Sequence, residues 1–212
     1  MLLAMGFKRR TGTKHFGPEL FGFLVELAIN NEREWFHGNK DFYQSAVKVP
    51  LLAFIDDFAP ELKKISPHFA ANAKSMFRIH RDVRFSKDKR PYKTHAAAHF
   101  RHEAGKDVHA PGFYLHIEPG SAFVGGGVWQ PGSEALQRIR EHIATNPRAW
   151  KRIIDEPAFA RGTELHGSSL KRPPRGFDPD HPLIEDLKRK DFIALVPLKD
   201  SDVLSKDIVA HV

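Results

Sequence analysis

Cysteine is absent from the 212 residues of this chain. That absence rules out a disulfide framework, a thiolate zinc site and a cysteine nucleophile, and it suits a reducing, cytoplasmic setting. No apolar run approaches the roughly 20 residues that cross a bilayer, so no membrane partner is expected. The opening Met-Leu-Leu-Ala-Met-Gly is too short for a secretory core and comes before its charges, Lys8, Arg9, Arg10 and Lys14. There is no G-x-G-x-x-G, no Gly-Lys-Ser/Thr phosphate loop, no G-x-S-x-G elbow and no His-Glu-x-x-His. The dinucleotide, P-loop, hydrolase-elbow and zincin assignments therefore have no motif to rest on. Trp and Tyr are scarce, at three each.

What the chain does have is 17 Phe, a hydrophobic content of 41% and a net charge of +7. The first two describe a globular chain with material for a sizeable core. The third favours anionic partners in general, from nucleic acid to phosphorylated metabolites. Residues 1–15 carry bases but no acid, and we read them as a basic, disordered arm ahead of one domain over residues 16–212.

Along that domain the hydrophobic period changes twice. From Gly17 to about Ile65 it is helical: Phe21, Leu24, Val25 and Ala28 form one stripe, and Asn31 is placed to cap a second helix through Trp35, Phe36, Lys40 and Tyr43. A third helical run begins at Pro50, with a kink or break expected near Val49. Period two follows. Ser75 to Phe85 alternates Phe77, Ile79, Val83 and Phe85 with Arg78, His80, Asp82 and Arg84, the signature of a strand. Further strands are expected over His95–His102, Phe113–Glu118 and Ala122–Trp129, the last two joined as a hairpin by Pro119-Gly120. Helices return over Gly132–Thr145, Pro147–Asp155 and Leu183–Lys190, and Phe192–Pro197 is a closing strand. This order predicts an α+β fold: N-terminal helices packed against a mainly antiparallel sheet, with further helices toward the C-terminus.

The densest chemistry lies in Arg78–Lys93, where seven basic residues face only Asp82 and Asp88, a local net of +5. On a strand, Arg78, His80, Asp82 and Arg84 would project from one face. Two guanidiniums beside an imidazole and a carboxylate could clamp a phosphate or carboxylate. His80 and Asp82 are the catalytic candidates, for moving and orienting a proton. Arg78, Arg81, Arg84, Lys87, Lys89, Tyr92 and Lys93 are the ligand-binding candidates, with Tyr92 offering a ring for stacking. The bland alternative is an internal Arg81–Asp82 ion pair among solvated lysines. His95 and His99 share one strand face, and His116 and Glu118 another, so a His/carboxylate metal site can be drawn. No ligand motif supports it, and neither metal nor cofactor is assigned. Gly125-Gly126-Gly127 reads as a bulge or close backbone approach rather than an anion nest.

These residues also carry a resemblance. Asn30-Asn31 with Trp35-Phe36, Asn39-Lys40 and Tyr43, then Arg81-Asp82-Val-Arg84-Phe-Ser-Lys-Asp-Lys89 and Pro91-Tyr92-Lys93-Thr94, occur in order. Gly112-Phe-Tyr114, Glu118-Pro-Gly120, the triple glycine with Trp129 and Pro131, and Gly167 through Gly176-Phe177 follow. The chain thereby resembles domain-of-unknown-function family 2461. The resemblance implies a single α+β domain and carries over no activity. Members usually continue past the last strand into a further helix, whereas this chain stops at Val212, so a shortened end and an exposed apolar groove are expected. The favoured reading is a soluble cytoplasmic protein whose Arg/Lys-rich cleft binds a phosphorylated or carboxylated small ligand, as a binding protein or as an enzyme. The alternatives are a non-enzymatic nucleic-acid-binding module and a structural or interaction protein whose charged loop only organises the fold.

Overall fold

The computed structural model describes residues 14–103, 105, 109–160 and 162–212. Most of the expected N-terminal arm lies outside these. His15, counted within that arm, is instead packed edge-on against Phe54, and Phe16 beside it is fully buried.

The N-terminal third is helical, as its periodicity predicts, but its faces differ in detail. Helix α1 (Pro18–Ile29) buries Leu20, Phe23, Leu24 and Leu27, while Val25 stays 45% exposed. The helix is apolar on more than one side, so two stripes with helical spacing compete. Packing selects the one that places Phe23 among Trp35, Phe36, Phe42 and Tyr43. Helix α2 (Arg33–Gly38) is preceded by Glu32 at its N-cap, and Asn31 does not cap it. The helix α3 (Lys40–Tyr43) runs through a π-helical turn, Gln44–Lys48, into α4 (Val49–Ile65). The expected break at Pro50 is therefore absorbed. Pro50 has no N–H for the preceding turn, and the ladder widens so that the Val49 N–H donates to the Gln44 carbonyl.

The strands β1 (Ala96–Arg101), β2 (Gly112–Ile117), β3 (Ala122–Val128), β4 (Glu164–His166) and β5 (Phe192–Leu198) form one antiparallel sheet in the order β1-β2-β3-β5-β4. The β2–β3 hairpin turns at Pro119-Gly120, with Gly120 at φ 70°, as the turn residues predict. Between β3 and β4 lie α5 (Ser133–Thr145), α6 (Pro147–Ile154) and α7 (Pro157–Ala160). Helix α8 (Ile184–Leu187) precedes β5. Its final carbonyls are met by the buried Arg140 guanidinium, which donates to the Leu187 and Arg189 oxygens at 2.7 and 2.9 Å. After β5 the chain forms α9 (Asp200–Val203) and α10 (Ile208–His211), whose Val203 and Ile208 are fully buried in the main core. The expected open groove after the last strand is not found where these helices pack.

The sheet has two unlike faces, fixed by the period of two. Ala96, Ala98, Phe100, Leu115, Ile117 and Ala122 point to the N-terminal helices and share their core. Ala97, His99, Tyr114, His116, Phe123 and Leu195 alternate with them and occupy the other face, consistent with the pairings Ala97↔His116, His99↔Tyr114 and His116↔Phe123. No helix among the described residues is long and apolar enough to cross a membrane.

Candidate functional site

The outer face of the sheet holds a cavity of about 500 Å³. Its floor is glycine. Gly125 lies under Leu195, so close that an added Cβ would sit 2.6 Å from the leucine Cδ2. Gly127, at φ +135°, runs so close to Phe192 that a Cβ would strike the Phe192 carbonyl. The triple glycine pairs with β2 on one side and β5 on the other, which is the close-approach reading and not an anion nest. The walls are Phe77, Tyr114, Phe123, Trp129 and Ile193, with Lys93, His95 and His99 as the ionisable groups.

At one end of this wall the sheet register gathers a polar cluster. Ala96 pairs with Ile117 and Ala97 with His116, so continuing the register sets His95 opposite Glu118. The His95 and His116 rings lie 4.2 Å apart. His116 is 9% exposed, and its Nδ1 meets the Tyr114 hydroxyl at 3.1 Å while Nε2 meets Glu118 Oε2 at 3.3 Å. The Thr94 hydroxyl donates to the other Glu118 oxygen at 2.8 Å. Burial governs protonation here. It drives His95 down to about 4, assisted by the neighbouring His116. His116 is lowered by burial against the pull of Glu118, and His99 by burial and then Arg101. Tyr114 is pushed up to about 12 by burial and then by Glu118. Burial alone would raise Glu118, but the hydrogen bonds from Thr94 and His116 outweigh it and hold the carboxyl below its usual range. At neutral pH the site therefore presents neutral imidazoles beside a carboxylate.

Of the residues singled out by the sequence, Lys93 belongs to this wall. Its ammonium donates to the Arg78 carbonyl at 2.9 Å and sits 4.9 Å over the Phe77 ring. Burial and then Arg78 lower its pKa. The remaining candidates form a separate surface loop. Residues 75–85 are not a strand. Met76 bridges Ala98 and His80 bridges Tyr92, but between and beyond these contacts the chain is irregular. Two acids close local turns and consume the alternation. Asp82 accepts from the Arg84 backbone at 3.3 Å and from its guanidinium at 2.9 and 2.7 Å. Asp88 accepts from Arg81 at 2.6 Å and from Arg90 at 2.8 Å. The Arg81–Asp82 pair of the bland alternative does not form either; the pairs are Arg81–Asp88 and Arg84–Asp82.

The clamp of Arg78, His80, Asp82 and Arg84 on one strand face accordingly does not form. Asp82 is held down to about 2 by its hydrogen bonds from Arg84, which makes it a poor base at neutral pH. His80 is exposed and packs beside Tyr92 and Phe36. Tyr92 is only 3% exposed and stacks on Phe36 at 4.2 Å, so its ring is not available to a ligand. Asn31 fixes it there: the asparagine side chain accepts from the Tyr92 N–H at 3.0 Å and donates to the Tyr92 carbonyl at 3.1 Å. Arg84, Lys87 and Lys89 stand on the exposed rim of the loop, Lys89 donating to the Val83 carbonyl at 3.0 Å.

His95, His99, His116 and Glu118 stand out in the sequence as possible metal ligands, but their convergence with Tyr114 and Thr94 does not. The available signal was the alternation Tyr114-x-His116-x-Glu118, which puts three polar side chains on one face of one strand. What it lacked was the register that brings His95 alongside.

Fold and site together define an α+β protein with a five-stranded antiparallel sheet, helices packed on one face and a ligand-sized cavity on the other. The chain belongs to the family described as conserved hypothetical protein (DUF2461), whose model matches residues 19–212. No curated protein and no solved structure matches it.

Proposed function

We propose that the protein binds a small molecule with an apolar body and one anionic group, a carboxylate or a phosphate ester, in the cavity on the outer face of the sheet. The observation that carries this reading is Lys93, a partly buried ammonium in a wall otherwise made of aromatic rings, glycine, aliphatic side chains and the two imidazoles of His95 and His99. A cation that burial has stripped of part of its hydration gains most from an anionic partner. Arg78, close enough to lower the Lys93 pKa, supplies a second positive charge nearby. The volume of about 500 Å³ suits a ligand of metabolite size.

Calorimetric titration with aryl carboxylates and aryl phosphates of matched size tests the reading. Saturable binding at one equivalent is expected, weakened by at least about tenfold in Lys93→Met, the loss of one charge-assisted hydrogen bond. Equal affinity in wild type and Lys93→Met, or no binding of either anion class, would overturn it.

Phe85 supports a second reading as a nucleic-acid-binding module. Its ring is 95% exposed, the Arg84 guanidinium lies 5.8 Å from its centroid, and Lys87 and Lys89 follow in the chain. An exposed ring among cations can stack on an unpaired base, the role Tyr92 cannot fill. Single-stranded oligonucleotides should then bind with a log–log salt slope of roughly 0.7 per neutralised phosphate. Phe85→Ala should weaken that binding, and an unchanged affinity would eliminate the reading.

A further inference from the structure

We infer that His95, His116 and Glu118 form a binding site for one divalent first-row metal ion, best suited to zinc, at the wall of the cavity. Each residue offers one ligand atom, two imidazole nitrogens and a carboxylate oxygen, and the three atoms all lie within 4.8 Å of one another. A tetrahedral zinc ion with bonds of about 2.0–2.2 Å holds its ligand atoms about 3.3 Å apart. The three side chains therefore stand near bound spacing, and small rotations at their tips close the rest. Two nitrogens and one oxygen are a donor set that imidazole-binding metals accept and that magnesium and calcium disfavour.

Two further observations separate this cluster from an ordinary buried polar network. First, the partners of the ligand groups are those a metal site requires. With His116 coordinating through Nε2, its Nδ1–H would donate to the Tyr114 oxygen, 3.1 Å away. Thr94 already donates to the Glu118 oxygen that faces away from His116. Such contacts fix the tautomer and orient the ligands. Second, the ring nitrogens of His95 have no hydrogen-bond partner among the described residues, although the ring is packed against His116. The neighbouring ammonium of Lys93 is held by the Arg78 carbonyl and over the Phe77 ring.

Three protein ligands leave one tetrahedral position open, the arrangement of catalytic rather than structural zinc. His95 lines the cavity, so the fourth ligand would be a water or an oxygen of whatever the cavity holds. A bound water there would be acidified toward neutrality and would make the site competent for hydrolytic chemistry on an ester, amide or phosphoester. Metal binding does not depend on the anion reading above, since the metal alone tests it.

The experiment is a calorimetric titration of the chelator-treated full chain with zinc, repeated on variants checked for an unchanged circular dichroism spectrum. One equivalent should bind and raise the melting temperature. Glu118→Gln and His95→Gln should weaken it by about 100-fold or more, and Tyr114→Phe by about tenfold, the effect of losing an outer hydrogen bond. His95→Gln removes a side chain that makes no hydrogen bond among the described residues, and it keeps the test valid should Glu118→Gln fail to fold. His68→Gln, in the exposed His68–Glu103 pair, should leave the affinity unchanged. The inference is overturned if zinc does not bind the wild-type chain, if binding survives His95→Gln, or if it is lost in His68→Gln.

Discussion

The basic loop and the cavity hold the same kinds of side chain and use them in opposite ways. In the loop, Arg84 closes on Asp82, and Arg81 and Arg90 both close on Asp88, so much of the charge that dominates the sequence is matched within a few residues. At the cavity wall, Lys93, His95 and His99, with His116 beside them, are brought together by strand pairing, and for each of them burial is the larger influence, ahead of any neighbouring charge. Exposed pairs are screened by water and contribute little to stability. Buried groups lose hydration, shift their protonation and become chemically useful. A dense run of charge in a sequence therefore points to a surface, whereas a site arises where the sheet register collects sparse polar residues onto one face.

The largest effects are expected at the sheet, one face of which packs on the N-terminal helices while the other carries the cavity. Phe100→Ala, on the helix-packed face, should cost about 3–5 kcal/mol by opening a cavity in the core. Gly127→Val, on the cavity floor, should cost at least about 3 kcal/mol, because it forces a β-branched residue into a positive φ against the Phe192 carbonyl. Urea denaturation measures both. Values under 1 kcal/mol at either position would mean that the sheet is not the rigid partition described here.

Asn31→Ala severs the tie between the root of the loop and the helices. Two hydrogen bonds to the Tyr92 backbone disappear and leave a buried amide and carbonyl unpaired, at a cost of about 2–3 kcal/mol. Hydrogen exchange at Tyr92 should accelerate in parallel, and unchanged protection would contradict the role assigned to Asn31.

Asp191 sharpens the comparison, because it is a buried acid with no cation in hydrogen-bond contact among the described residues. It accepts from the Gln130 N–H at 2.8 Å, the Ser168 N–H at 2.9 Å and the Ser168 hydroxyl at 3.0 Å. Burial alone would raise its pKa, but these bonds prevail and lower it. Its contribution is therefore complete above the unfolded carboxylate value of about 3.9 and is lost as pH falls through the lower folded value. Asp191→Asn should cost about 1–2 kcal/mol at neutral pH, and the gap to wild type should shrink on acidification. A gap independent of pH would show that the carboxylate charge is not what matters.

The smallest effect belongs to the loop. Arg84→Ala removes an exposed ion pair and should leave the melting temperature indistinguishable from wild type. It should also leave binding of a small anion unchanged, whereas Lys93→Met should weaken that binding by at least about tenfold at similar stability. Loss of anion binding in Arg84→Ala would move the site from the cavity to the loop.

Much of the architecture was written in the chain itself. Period 3.6 through α1 and α4, period two through β2, the apolar run of β5 and the Pro119-Gly120 turn each follow from local backbone and side-chain geometry, which a short window of sequence contains. The same logic misread residues 75–85. Their alternation satisfies a strand, but Asp82 and Asp88 offer the backbone local turns that a periodicity count does not register. The three-residue strand β4 was missed because so short a segment has no period, and it forms by pairing with β5. Asn31 was read as a helix cap because its partner, Tyr92, lies 61 residues away. For the site, Lys93 stands out by its charge, and His116 and Glu118 by sharing one strand face, on which Tyr114 also lies. Only pairing β1 with β2 sets His95 beside them, and only the helices behind the sheet and the glycines beneath the cavity decide how far each is buried. Local sequence fixes which way a side chain points. Which distant residues it meets, and how much water it loses in doing so, is decided by long-range packing.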